Sequence, residues 1–127
     1  MAIKFFVAGQ PLPKARPRVF EMRSGKRRAI TPGTTRDWSA LIGWTCRNHL
    51  YSGDLFRGAV ALSCSFARKG KRRADLDNMV KAVMDGLNGV IWVDDSQVTQ
   101  LTASVIYSQS APGVWITIEY LAPAIKE

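Results

Sequence analysis

The sequence predicts one α+β domain over residues 1–127, built on a mixed β-sheet with two main helices. Three observations lead there. Apolar residues alternate with period two at Ile3-Phe5-Val7, Val60-Leu62-Cys64-Phe66, Leu101-Ala103-Val105-Tyr107 and Val114-Ile116-Ile118-Tyr120, which is the spacing of half-buried strands. Two other segments repeat at helical spacing, Trp38-Leu41-Ile42-Thr45-His49 and Leu76-Met79-Val80-Val83-Leu87. No repeat or linker divides the 127 residues, which suffice for one core.

In chain order, residues 3–8 read as the first strand, and their apolar run is too short for a signal peptide. Three prolines keep 10–18 extended. Val19-Phe20 and Arg28-Ala29-Ile30 flank Ser24-Gly25 as a basic hairpin. After Thr31-Pro32-Gly33, Thr34 or Thr35 is expected to cap a helix over 35–50, with Asp37 in its first turn. A strand follows at 58–67 and a second helix at 76–88. On that helix Asp77, Lys81, Asp85 and Asn88 share a face apart from the apolar stripe. Val90-Ile91-Trp92-Val93 leads into Asp94-Asp95, and the last two strands are expected to pair as a hairpin across 108–113.

Charge narrows the function. Eighteen Lys and Arg against ten Asp and Glu leave a net +8, which points to a polyanionic partner, nucleic acid before membrane. Twelve of the basic residues fall in two patches, Lys14, Arg16, Arg18, Arg23, Lys26, Arg27 and Arg28, then Arg68, Lys69, Lys71, Arg72 and Arg73. Five of the seven Asp, Asp75, Asp77, Asp85, Asp94 and Asp95, follow directly between 75 and 95. No apolar run approaches the ~20 residues of a spanning helix, so no membrane partner is expected, and the cytoplasm is the expected location. Cys46 and Cys64 fit no CxxC pattern and read as reduced core residues. The single histidine, His49, argues against His-based zinc chemistry and against a Ser-His-Asp triad. Trp38 and Trp44 read as core or partly buried residues rather than base-stacking platforms.

The acids carry the chemistry. Carboxylates are hard ligands, and Mg²⁺ prefers one or two of them with waters and a substrate phosphate. Gathered beside a basic run that holds a phosphate backbone, Asp75, Asp77 and the 94–95 pair suit metal-assisted phosphodiester hydrolysis. Lys81, one turn after Asp77 on the same face, is placed to stabilise the pentacovalent phosphate or to assist the leaving oxygen. A structural reading stands beside this: an Asp at a helix start is often a cap, Asp77–Lys81 is an ordinary i,i+4 pair, and a basic run is often only solvated.

The stretch Arg72-Arg73-Ala74-Asp75-Leu76-Asp77-Asn78-Met79-Val80-Lys81-Ala82-Val83-Met84-Asp85-Gly86-Leu87, followed by Trp92-Val93-Asp94-Asp95-Ser96-Gln97-Val98, closely resembles the signature of the RusA family of Holliday junction resolvases. Pro11-Leu12-Pro13-Lys14-Ala15-Arg16-Pro17-Arg18 and the Thr-Pro-x-x-Thr at 31–35 resemble its phage- and prophage-type members. The resemblance implies a RusA-like α+β fold and a small homodimeric, Mg²⁺-dependent endonuclease, with Mn²⁺ as a substitute and no organic cofactor. It would cut four-way DNA junctions by paired symmetric incisions, in a bacterial or phage-infected host cell. Asp75, Asp77 and Asp95 match the family's metal-binding carboxylates and Lys81 its catalytic lysine, with Asp94 ranked below Asp95 and Asp85 supporting. Lys14, Arg16, Arg18, Arg68, Lys69, Lys71, Arg72 and Arg73 would hold backbone phosphates, giving salt-sensitive affinity without sequence readout. The junction's two-fold symmetry independently asks for two chains, each with one Asp cluster, and the alternating strands with Trp92 and Trp115 are the first place to look for their contact. The alternatives are a non-catalytic basic DNA-binding module with structural acids, which predicts no metal requirement, and a hydrolase of small phosphates, which needs no such basic surface.

Overall fold

The computed structural model describes residues 2–13, 18–21, 27–30, 33–49, 54–71, 73–108 and 111–121. Its elements are β1 (Ala2–Ala8), β2 (Arg18–Glu21), β3 (Arg27–Ile30), α1 (Gly33–His49), β4 (Val60–Lys69), α2 (Leu76–Leu87), a 3₁₀ turn at Asp95–Gln97, β5 (Val98–Ser108) and β6 (Gly113–Tyr120). A four-stranded mixed sheet runs β1-β6-β4-β5, and β2 pairs with β3 separately. The α+β class is as expected. Lys14, Arg16, Arg23, Lys26 and Arg72 lie outside the described residues, while Arg18 opens β2.

The last two strands do not form the expected hairpin. β5 pairs with β4 in parallel, and β6 pairs antiparallel with both β4 and β1, so β4 lies between them. The reason is the crossover: β4 ends, α2 runs back along the sheet, and β5 then has to start beside the start of β4. β4, whose Val60, Leu62, Cys64 and Phe66 are buried, takes a central place. β5, exposed along much of its length, becomes an edge strand.

The buried face of α1 also differs from the expected stripe. Thr35, Trp38, Ile42 and Cys46 point inward, whereas Leu41 is exposed and Trp44 is 66% exposed, so Trp44 is not a core residue. α1 starts at Gly33, which leaves Asp37 outside its first turn, and the Thr35 hydroxyl donates to the Pro13 carbonyl at 3.2 Å. That bond fastens the proline-rich segment to the helix.

Met79, Val80, Val83 and Leu87 pack the buried face of α2 against Phe5, Val7, Trp38, Ile42, Phe66 and the inward residues of β6 in one cluster. Trp92 is fully buried in the same core, which removes it from any surface between copies; Trp115 stays half exposed, tilted against Phe6 and lying under the Lys4 ammonium. Both cysteines are free and buried, and burial pushes each thiol up to about 12, so neither supplies a thiolate at neutral pH.

The two helices cross at near backbone contact. The Ser39 hydroxyl donates to the Ala82 carbonyl at 2.8 Å, a Cβ on Gly86 would land in the Ser39 carbonyl, and one on Gly43 in the carbonyl of Gly86. Backbone atoms cannot yield as side chains do, so Gly86→Ala is expected to lower stability by about 1–3 kcal/mol. A thermal melt checks this, and an unchanged melting temperature would show that the crossing tolerates a methyl group.

Candidate active site

The crossover from β4 through α2 to β5 carries every acid singled out in the sequence. β4 runs two residues further than expected, so Arg68 and Lys69 are strand residues. Gly70, at φ +96°, turns the chain out of the strand. Lys69, Lys71 and Arg73 are exposed around this turn. Arg68 is different: it is only 8% exposed, and its buried Nε has no hydrogen-bond partner among the described residues. The basic run is therefore not uniformly a solvated loop.

Asp75 stands at the N-cap of α2 without making a side-chain cap bond. Its Oδ2 accepts instead from Asn78 Nδ2 at 3.2 Å, and the carboxylate is exposed. The preceding Ala74 N–H donates to the Tyr107 hydroxyl at 3.1 Å, tying the turn to β5. Asp77, Lys81 and Asp85 follow on the exposed face of the helix, and Lys81 lies one turn, ~6 Å, beyond Asp77. The shared face read from the sequence is present.

At the far end of α2 a second group forms around Asn88. Its Oδ1 accepts from the buried Trp92 Nε1 at 2.6 Å, and its Nδ2 donates to Asp95 Oδ2 at 3.4 Å. Trp92 thus fixes an amide that orients Asp95. Asp94 is otherwise engaged. Its side chain accepts from the Ser96 N–H at 3.0 Å and caps the 3₁₀ turn, and hydrogen bonding by the Ser96 hydroxyl first, then by the Ser96 N–H, holds its carboxyl below the usual carboxylate range.

Gln97 locks the loop in place. Its Oε1 accepts from the Val93 and Asp94 N–H groups at 2.9 and 3.1 Å, and its Nε2 donates to the Phe56 and Gly58 carbonyls at 2.7 and 2.9 Å. Gln97→Leu keeps the volume and loses all four bonds. The expected result is a loss of about 1–3 kcal/mol, with faster hydrogen exchange at Val93 and Asp94. Wild-type exchange there would show that the loop stands without Gln97.

The acids do not all converge within one chain. Asp75 and Asp77 stand at the start of α2 and Asp95 beside its end, and twelve helical residues span ~18 Å. Among the described residues, no three acidic, imidazole or thiol groups form a ready-made cation cage. Sequence reasoning missed Asn88 as the orienter of Asp95, and Tyr107 as the anchor of the Asp75 turn. The helical face pointed to Asn88. Tyr107 left no signal, because only strand pairing brings it to Ala74.

A carboxylate pair, a lysine one turn on and a cationic strand end thus lie together on an α+β domain. The model of the family described as endodeoxyribonuclease RusA matches residues 8–119. The chain belongs to this RusA family of Holliday junction resolvases, and it is a nuclease. It is also similar to the uncharacterized protein YqaN of Bacillus subtilis (strain 168), 31% identical over 128 residues, covering 84% of this chain and 89% of that protein. No helix among the described residues is long and apolar enough to cross a membrane.

Proposed function

We propose that the protein resolves four-way DNA junctions in the cytoplasm, as a homodimer that makes paired symmetric cuts with a divalent cation. The observation that carries this is the exposed Asp75-Asp77-Lys81 face at the end of the sheet where Lys69, Lys71 and Arg73 also emerge. The basic side chains hold backbone phosphates and bring a strand to the carboxylates. Lys81 sets a compact positive charge beside the phosphate, where it offsets charge that develops as the ester breaks.

The donor set suits Mg²⁺ or Mn²⁺. Asp75 does not spend its carboxylate on capping the helix, and hard oxygens completed by waters and a phosphate are what Mg²⁺ takes. Asp75, Asp77 and Asp95 would hold the ion, which supplies an activated water and charge neutralisation on the phosphate. Asp94, committed to the 3₁₀ turn, supports the loop. Because α2 keeps Asp95 ~18 Å from Asp75 along one chain, Asp95 joins the Asp75-Asp77 pair of a second copy. A two-fold dimer then carries two equivalent sites, matching the symmetry of the junction.

The test is a labelled synthetic four-way junction and a linear duplex of the same sequence, each with Mg²⁺ or with EDTA. Symmetric paired nicks in the junction with Mg²⁺ alone are expected. Equal cutting of the linear duplex, or cutting in EDTA, would overturn the assignment.

A further inference from the structure

We infer that Arg68 and Tyr107 form a phosphate-binding pair beside the Asp75 turn, gripping a non-bridging oxygen of the DNA backbone next to the carboxylates. The two residues are Cα partners in the parallel β4–β5 register. Arg68 continues the inward row of Leu62, Cys64 and Phe66, and Tyr107 continues that of Ala103 and Val105. Both therefore stand on the helix-covered face of the sheet, side by side at its end.

Each has hydrogen-bonding capacity that the described residues leave unused. Arg68 is 8% exposed and its buried Nε–H has no acceptor. A guanidinium does not lose its charge, and a buried donor without an acceptor is costly, so this position asks for an anion from outside the chain. Tyr107 is 40% exposed, and its hydroxyl oxygen accepts from the Ala74 N–H. A phenol that accepts still has its own proton to donate, and that proton has no acceptor among the described residues. Ala74 directly precedes Asp75, so the free proton is held one residue from the candidate metal ligand.

An oxyanion with several lone pairs satisfies both donors together. A phosphate held there lies beside the turn that carries Asp75. Arg68 is the binding member of the pair. Tyr107 is the positioning member, because it links the phosphate to the backbone that sets the Asp75 turn. The phosphate-binding role stands on the β4–β5 geometry; its use in catalysis rests on the proposed junction-cleaving function.

The experiment uses the full ¹⁵N-labelled chain without metal. Inorganic phosphate is titrated in one series and four-way junction DNA in EDTA in another, following the Arg68 Nε–H and Ala74 N–H resonances. Both are expected to shift in the wild type, and the Ala74 response is expected to vanish in Tyr107→Phe. A shift with DNA but not with free phosphate supports the pair and identifies the phosphodiester backbone as its ligand. In single-turnover cleavage at saturating junction and Mg²⁺, Tyr107→Phe is expected to lose about 10–100-fold in rate, with an unchanged melt and little change in junction affinity. Arg68→Lys keeps the charge without the fork and is expected to weaken junction affinity as well. Should burial make Arg68 variants unstable, Tyr107→Phe still decides the matter. An Arg68 Nε–H resonance unmoved by either ligand, or wild-type cleavage by Tyr107→Phe, overturns the inference. If the wild type cuts no junction while the Arg68 resonance still answers phosphate, the junction-resolving function fails and the phosphate pair stands.

Discussion

Asp75→Asn and Asp95→Asn are each expected to lower junction cleavage by at least about 10²-fold, and a mixture of the two variants is expected to recover part of it. Each substitution removes one charged ligand at nearly constant shape. Asp75 makes no cap bond and is exposed, so the melt of Asp75→Asn should stay within about 0.5 kcal/mol of wild type in stability. Binding of the junction is retained, because only negative charge has been taken from a phosphate-facing surface. The mixture is the sharper measurement. If Asp95 of one copy serves the Asp75-Asp77 pair of the other, a mixed dimer has one site that lacks both ligands and one intact site. If each chain uses its own Asp95, both sites of the mixed dimer are damaged and no activity returns. The ~18 Å length of α2 between these residues predicts recovery. Absence of recovery from variants shown to exchange subunits would refute the cross-copy site. Wild-type cleavage by Asp75→Asn alone would remove that residue from the metal site.

Lys81→Ala is expected to cost about 10²-fold in single-turnover cleavage and nothing measurable in the melt. The side chain is exposed on the outer face of α2, and alanine has the highest helix propensity, so the helix loses only an i,i+4 partner of Asp77 worth a few tenths of a kcal/mol. A merely structural lysine and a catalytic one therefore differ in rate by two orders of magnitude at equal stability. Lys81→Arg separates two catalytic roles. Arginine keeps the charge and presents a planar fork that does not give up its proton, so it partly restores an electrostatic contribution and leaves a proton-donating one unrestored. Should Lys81→Ala both melt and cleave like wild type, the lysine has no part in the reaction.

The motif reads differently once its packing is known. Trp92, Asp94, Asp95 and Gln97 look in sequence like one acidic cluster with an aromatic neighbour. In the structure three of them build a scaffold: Trp92 is buried and holds Asn88, Asp94 caps the 3₁₀ turn, and Gln97 clamps the loop to the 56–58 segment. Asp95 is the member whose carboxylate, among the described residues, keeps one long contact, to Asn88 at 3.4 Å. Sequence alone ranked Asp95 above Asp94 by resemblance; the capping geometry supplies a physical reason for that order.

What the sequence by itself determined was local. Period-two and helical repeats set the existence and type of the main strands and helices, because burying one face of each element requires that spacing. The Asp77-Lys81-Asp85 face and the segregated charges could be read because they depend only on helix periodicity and chain order. Tertiary structure decided the rest. An alternating strand does not say which edge it pairs with, so β5 read as a hairpin partner of β6 until the α2 crossover set it parallel to β4. A basic run does not say where its strand ends, so Arg68 counted as a surface cation until β4 carried it into the protein. Three acids within about twenty residues looked like one site. A rigid helix of twelve residues keeps one of them at its opposite end, because a helix fixes length as firmly as it fixes faces.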